Sequence, residues 1–332
     1  MLPSFQPEVC RRAVILCITL LLLGTVGCSN SDKVADKTDL PTPTGTTSAS
    51  PNSTAAGIPT EVPFTLDNIA SAIAVTNRGV YVADTGKGND ITPMGWSAGD
   101  ETGRVLLLGT GQDVQKQLVS ELGPPFSLAV APDGTMYIVE LSPNRIVQIA
   151  DGSTAPVPLP FNTEMQPRKI ALSPTGDIVL LTDMHVQILP KGAQSPQVIN
   201  TLFNGDALAV DPKGAIYFTS SLDEDSVVNV IAPGETAPRL FAQLDRGVRV
   251  TAMAFDANGD RYAINETCGP DQQPEQVRPC KTYMYTLQKF DKNSTNPTDI
   301  PVQGLTLPTG IALSATDIYI SNNKHVVKLA KP

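Results

Sequence analysis

Only two histidines, His185 and His325, occur among the 332 residues, so a multi-histidine zinc site is excluded at the outset. Two strings match nucleophile motifs. Gly95-Trp96-Ser97-Ala98-Gly99 reads Gly-x-Ser-x-Gly, which works where a strained strand-to-helix turn pushes the serine outward. No helical pattern follows Ser97. Ser321-Asn322-Asn323-Lys324 reads Ser-x-x-Lys, but neither a Ser-Asp-Asn nor a Lys-Thr-Gly partner string accompanies it. No glycine-rich loop follows a strand and opens a helix, so a phosphate cradle is also missing. These strings assign no catalytic residue, no metal ligand and no cofactor. What remains is a set of charged side chains, Arg168, Lys169, Asp206 and Arg249, whose meaning depends on the elements that carry them.

The chain is 41% hydrophobic and 17% charged, enough apolar residue for a sizeable core. Its net charge of −9, with no basic block, argues against nucleic acid, whose phosphates are bound by clustered Lys and Arg. From residue 62 onward one pattern recurs six times: an alanine between two apolar residues, a polar turn, then a second apolar run. The alanines are Ala74, Ala129, Ala171, Ala209, Ala254 and Ala312, spaced by 55, 42, 38, 45 and 58 residues. Periods of 40–50 residues made of short strands and glycine turns point to β-propeller blades. The spacing therefore predicts an all-β, six-bladed propeller over 62–332. A small alanine would suit the first strand of each blade, where the blades converge on the axis. Asp133-Gly134, Lys213-Gly214 and Asn258-Gly259 supply the positive φ of tight turns. The chain stops after the third strand of blade six, so Pro59–Leu66 is placed to add the missing outer strand and close the ring.

Strand order fixes which loops share a face. Turns between strands one and two lie on one side; loops between two and three lie on the other, with the connections between blades. Two insertions, Thr85–Gly103 and Glu266–Thr282, follow second strands and so fall on the same face. The first carries the only tryptophan, Trp96, beside Met94. Long loops are often functional and tryptophan is enriched at binding hot spots. Three residues before the alanines, at the channel mouth, lie Ser71, Phe126, Arg168, Asp206, Thr251 and Thr309, with Arg249 nearby. We take Trp96, Met94, Phe126, Arg168, Asp206 and Arg249 as the candidate binding face. The ends of the second strands form a further ring: Asp84, Glu140, Thr182, Ser220, Asn265 and Asn322. These oxygens could coordinate Ca²⁺ or equally satisfy loop N–H groups.

The N-terminus reads as an address. Arg11 and Arg12 precede 15 uncharged residues, Ala13–Gly27, shorter than the roughly 20 a membrane-spanning helix needs. The run ends in Thr25-Val26-Gly27-Cys28, which resembles a bacterial lipobox. That resemblance implies cleavage after Gly27 and lipid attachment to Cys28, giving a signal peptide over 1–27. Residues 28–61, without an aromatic and rich in Ser, Thr and Pro, read as a lipidated, disordered tether reaching about 30 Å. Signal removal leaves a net charge of −10 (22 minus 32). Of five cysteines, Cys10 and Cys17 leave with the signal and Cys28 takes the lipid. Cys268 and Cys280 then form an even pair on the exported side, where a disulfide persists.

Tyr81-Val82-Ala83-Asp84, Asn144-Arg145-Ile146-Val147 and the blade-six run Ile318–Leu329 resemble the NHL repeat. The resemblance implies a six-bladed propeller like the extracellular sensor domains of actinobacterial receptor kinases, binding a protein, peptide or glycan on one face. The expectation is a lipid-anchored module at the cell membrane, facing the extracytoplasmic side. The alternative is an extracytoplasmic hydrolase or lyase working at the channel mouth, with or without Ca²⁺. Metal-dependent lactonase-like propellers gather Glu, Asn and Asp around an axial cation; one carboxylate beside an arginine is a poor substitute.

Overall fold

The computed structural model describes residues 58–332 apart from 90, 93–94, 97–100, 202–203, 223–224, 271–279 and 293. Six antiparallel four-stranded sheets follow one another along the chain, and no helix occurs among the described residues. Their first strands are Ala70–Thr76, Pro125–Val130, Pro167–Leu172, Asn204–Val210, Arg249–Phe255 and Pro308–Leu313. Each touches the first strand of the next blade, and the sixth touches the first, so the sheets form a closed six-bladed propeller.

Closure uses the segment expected from the sequence. Thr60–Val62 pairs with the third strand of blade six, His325–Ala330, in the register Thr60↔Lys328 and Val62↔Val326. The fourth strand of that blade thus comes from the start of the domain, and chain ends hold each other in place. Tight turns join first and second strands. Gly134, Gly214 and Gly259 take φ of 94°, 89° and 90°, and each donates its N–H to the residue three positions earlier, Ala131, Asp211 or Asp256. A side chain at these φ values would be strained, so the glycine positions are fixed by geometry.

The recurrent alanines lie in the six first strands, where the blades converge. They do not line the axis; the axial cavity is walled by the residue before each alanine, such as Ile73, Leu128, Ile170 and Ile311. Each alanine instead packs into a layer between two blades, against the corresponding aliphatic of the next one. Ala129 shares a cluster with Ile170, Ala171 with Leu208, and Ala209 with Met253. Ala254 joins Ile311, Ala312 joins Ile73, and Ala74 joins Leu128, which completes the circle. The reason is strand alternation: successive side chains point to opposite faces of a radial sheet, hence to opposite neighbours. Small opposite large keeps neighbouring first strands close. Each buried aliphatic contributes about 1.5–3 kcal/mol. Second strands are buried on both faces for the same reason, as in Gly79–Asp84 and Ile178–Thr182.

Candidate functional site: the channel mouth

First strands begin, and second strands end, on one face of the ring, as the pairings Ala70↔Asp84, Pro125↔Glu140 and Arg249↔Glu266 require. At its centre Asp206 of blade four lies between two arginines. Arg168 Nη1 of blade three is 3.2 Å from its Oδ1, and Arg249 Nη2 of blade five bonds its Oδ2. Arg168 Nε also donates to Asp183 at 2.5 Å. Arg249 lies 3.8 Å from Glu266, which accepts the Tyr285 hydroxyl at 3.3 Å. Burial, and then Glu266, hold the Tyr285 hydroxyl well above its ordinary pKa.

Lys169 crosses the opening. Its Nζ donates to the Thr309 carbonyl at 3.1 Å, joining blade three to blade six, the blade opposite in a ring of six. The amine also lies 5.2 Å from the centre of the Phe126 ring of blade two, at cation–π distance. Burial, followed by repulsion from Arg168 and Arg249, lowers its pKa from 10.5 to about 8. Its side chain is half-buried, because it stands in solvent-sized axial space while six first strands surround it. A cavity of about 90 Å³ lies on the axis, bordered by Lys169, Asp206, Ser127 and Thr309.

Hydroxyls tie the remaining blades. Thr309 Oγ1 donates to Ala70 O and Ser71 Oγ to Pro125 O, both at 2.5 Å, while Ser127 Oγ accepts the Ile170 N–H at 3.1 Å. Blades six, one, two and three are thus linked by neutral bonds, and three, four and five by charges. Thr251 stays within its own blade, donating to Ile264 O at 3.3 Å.

Three of the expected site residues, Arg168, Asp206 and Arg249, form one network, and Phe126 joins it through Lys169. Trp96 falls in the short strand Gly95–Trp96, opposite Ile91–Thr92, within the blade-one insertion. Met94, Ser97 and Cys28 lie outside the described residues. Cys268 and Cys280 are joined, with Cα atoms 5.4 Å apart, and close the blade-five insertion. Directly after it come Tyr283 and Met284, which remain 40% and 47% exposed on the same face. Sequence reading passed over both. Their signal was three consecutive large residues, Tyr283-Met284-Tyr285, opening a strand, since alternation leaves no single face for all three.

Three members of the second-strand ring are already occupied by the protein itself. Asp84 accepts the N–H groups of Asp67, Asn68 and Gly86 at 2.7, 3.1 and 3.1 Å and pairs with Arg104 at 2.9 Å. Glu140 accepts Gly123 N–H at 2.7 Å and pairs with Arg145 at 2.5 Å. Asn322 accepts Thr306 and Leu307 N–H groups at 2.8 and 3.1 Å. Asp84, Glu140 and Asn322 thus anchor the inter-blade connections, whereas Thr182, Ser220 and Asn265 bond His185, Asn229 and Gln288 of the third strands, and Asn265 Oδ1 is buried without a hydrogen-bond partner among the described residues. Among the described residues no group of three or more His, Cys, Asp or Glu is placed to hold a metal ion. His325, far from any partner histidine, bonds Glu61 of the closing strand at 2.7 Å on the exposed edge.

The mouth therefore offers three cations (Arg168, Lys169, Arg249) against three carboxylates (Asp183, Asp206, Glu266), a neutral, polar patch in which the cations and Asp183 are half-buried while Asp206 and Glu266 are mostly covered. It suits a ligand with its own mixture of donors and acceptors.

The sequence matches no protein-family model and no curated protein. Solved structures do resemble the fold. A gluconolactonase from Xanthomonas campestris superposes with TM-score 0.58 at 14% identity, over 82% of this chain and 88% of that one. Virginiamycin B lyase from Staphylococcus aureus, an inactive variant with quinupristin, gives 0.54 at 14%, over 82% and 99%. A chain of the nidogen/laminin complex gives 0.54 at 16%, over 68% and 84%. These similar structures thus include both enzymes and a member of a protein–protein complex, and what they share with this chain is the β-propeller fold.

Proposed function

We propose that this chain is a lipid-anchored, NHL-like binding module of the cell membrane, tethered through Cys28 and presenting its channel-mouth face to an extracytoplasmic protein, peptide or glycan. One observation carries the reading: Tyr283 and Met284 stand exposed beside a disulfide-closed insertion, on the face that also bears the Arg168–Asp206–Arg249 network. An apolar pair rimmed by half-buried charges has the anatomy of an interface anchor. The nidogen/laminin likeness supports the idea that such a propeller serves a protein partner. The acidic balance of the chain disfavours an anionic surface as ligand.

The enzymatic alternative has one observation in its favour. Lys169, with its pKa at about 8, loses its proton at lower pH than an ordinary lysine, and its neutral fraction could serve as a base at the mouth. Its calcium-dependent form finds no support in the donor set, since Asp206 and Glu266 are each held by Arg249.

The test is capture from envelope extract by the full chain and by the Tyr283→Ser/Met284→Ser double variant, with melting as a control for folding. Capture of a defined component by the wild type alone supports the binding reading. Capture by neither, together with lactone or ester turnover that Lys169→Met abolishes, replaces it with the enzymatic one. For the anchor, Cys28→Ser should move the protein from the membrane to the soluble fraction.

A further inference from the structure

On the opposite face, between blades four and five, a second cavity holds about 80 Å³ of solvent-sized space. Its floor is Arg261, the first residue of a second strand, only 5% exposed. The Nε and Nη1 atoms of its guanidinium are buried and donate to no protein atom. A buried, unpaired charge is costly, and proteins rarely keep one without a partner. What surrounds it instead is aromatic: the guanidinium carbon lies 4.0 Å from the Phe290 ring centre and 4.9 Å from that of Phe241. Tyr217 packs edge-on against Phe241 at 5.1 Å and continues the wall. Burial lowers the pKa of Arg261 to about 10, which still leaves it a cation at neutral pH.

We infer that this cavity is a binding site for a small monocarboxylate, with the carboxylate received by Arg261 and the apolar body by the aromatic wall. Three features select that class. Guanidinium N–H bonds all lie in one plane, so a partner must approach edge-on, as a flat carboxylate does. The cavity is large enough for several waters and too small for a folded partner. The charges lining it are Arg261, Lys213 and Lys292 against Asp211 and Asp291, a balance of +1 (3 minus 2) that suits a monoanion over a dianionic phosphate. Asp211 and Asp291 have local partners of their own: the turn N–H groups of Lys213 and Ala215, and Lys289 at 3.0 Å. The site is independent of the mouth, since its walls are turns of the opposite face.

The experiment is calorimetric titration of the full chain with benzoate, then with benzamide as its neutral counterpart and with inorganic phosphate. Saturable 1:1 binding of benzoate, tenfold or more tighter than benzamide or phosphate, is the expected result. Arg261→Met should abolish it. Lys292→Glu, an exposed substitution that leaves the fold alone, reverses the balance to −1 (2 minus 3) and should weaken binding at least fivefold, which keeps the proposal testable should Arg261→Met fail to fold. No saturation by about 10 mM benzoate, equal binding of benzamide, preference for phosphate, or affinity unchanged in Lys292→Glu would each overturn the assignment.

Discussion

Two rings of polar residues share one face of this propeller, and they have opposite characters. The outer ring, at the ends of second strands, holds Asp84 and Glu140 with side chains fully buried, bonded to three backbone N–H groups and to one respectively, and each to an arginine of its own blade. The inner ring, at the starts of first strands, holds Arg168, Arg249 and Lys169, half-buried, around the more deeply set Asp206, all bonded across blades. A carboxylate saturated by the N–H groups of its own loops has no capacity left for a ligand; it fixes where the chain turns. A charge network spread over several blades and open to solvent can exchange one of its partners for a ligand at modest cost. Both rings consist of residue types that bind ions and substrates, so composition alone does not separate them. Connectivity does.

The sharpest test removes a member of the outer ring. Asp84→Ala strips the acceptor from three loop N–H groups and leaves Arg104 without its nearest carboxylate. The expected loss is about 3–5 kcal/mol in urea unfolding. A loss under about 1 kcal/mol would mean that the ring is not structural, and would reopen it as an ion site.

Lys169 should give an intermediate, pH-dependent effect. Its folded pKa of about 8 lies below the ordinary 10.5. Below pH 8 both folded and unfolded states hold the proton. As the pH rises from 8 toward 10, the folded state releases it first, the unfolded state binds more protons, and stability rises with pH. Discounted for partial exposure, the gain is about 2 kcal/mol. Wild type minus Lys169→Met, followed by urea unfolding across that window, isolates it from the tyrosines. A flat difference would mean that the amine is solvated like a surface lysine.

The smallest effect on stability belongs to the inner ring. Arg249→Ala should cost about 1 kcal/mol or less by thermal melting, because its pair with Asp206 is partly solvent-screened. The same substitution should abolish ligand capture. If it destabilises as much as Asp84→Ala, the contrast between the rings collapses and the mouth is architecture as well.

Much of this was legible beforehand, for reasons that can be named. The six alanines in phase revealed the repeat because every blade solves the same packing problem: a small residue facing the aliphatic of the next blade. The glycines of the first turns were legible because positive φ is a local demand. The closing segment was legible because Pro59–Leu66 is a strand-like run ahead of blade one that belongs to no other blade, while blade six shows only three strands of its own. Which neighbour each alanine faces was not legible, since the direction of a side chain in a radial sheet depends on neighbours remote in sequence. At the mouth, Arg168, Asp206 and Arg249 could be ranked together from their blade positions, but Lys169 could not be given its span to blade six.

What the sequence determined by itself is the count of blades, their order, the face on which the insertions fall and the pairing of Cys268 with Cys280. Only the tertiary structure decided which charges are spent and which are available. It made Asp84 and Glu140 anchors, drew Lys169 across the axis, left Tyr283 and Met284 in solvent and buried Arg261 among aromatics without a partner. The physical reason is the range of the interactions. Turns, periodicity and strand alternation act over a few residues and are written locally, whereas the contacts of Arg168 with Asp206 and of Lys169 with Thr309 join groups 38 and 140 positions apart that meet only when the blades pack.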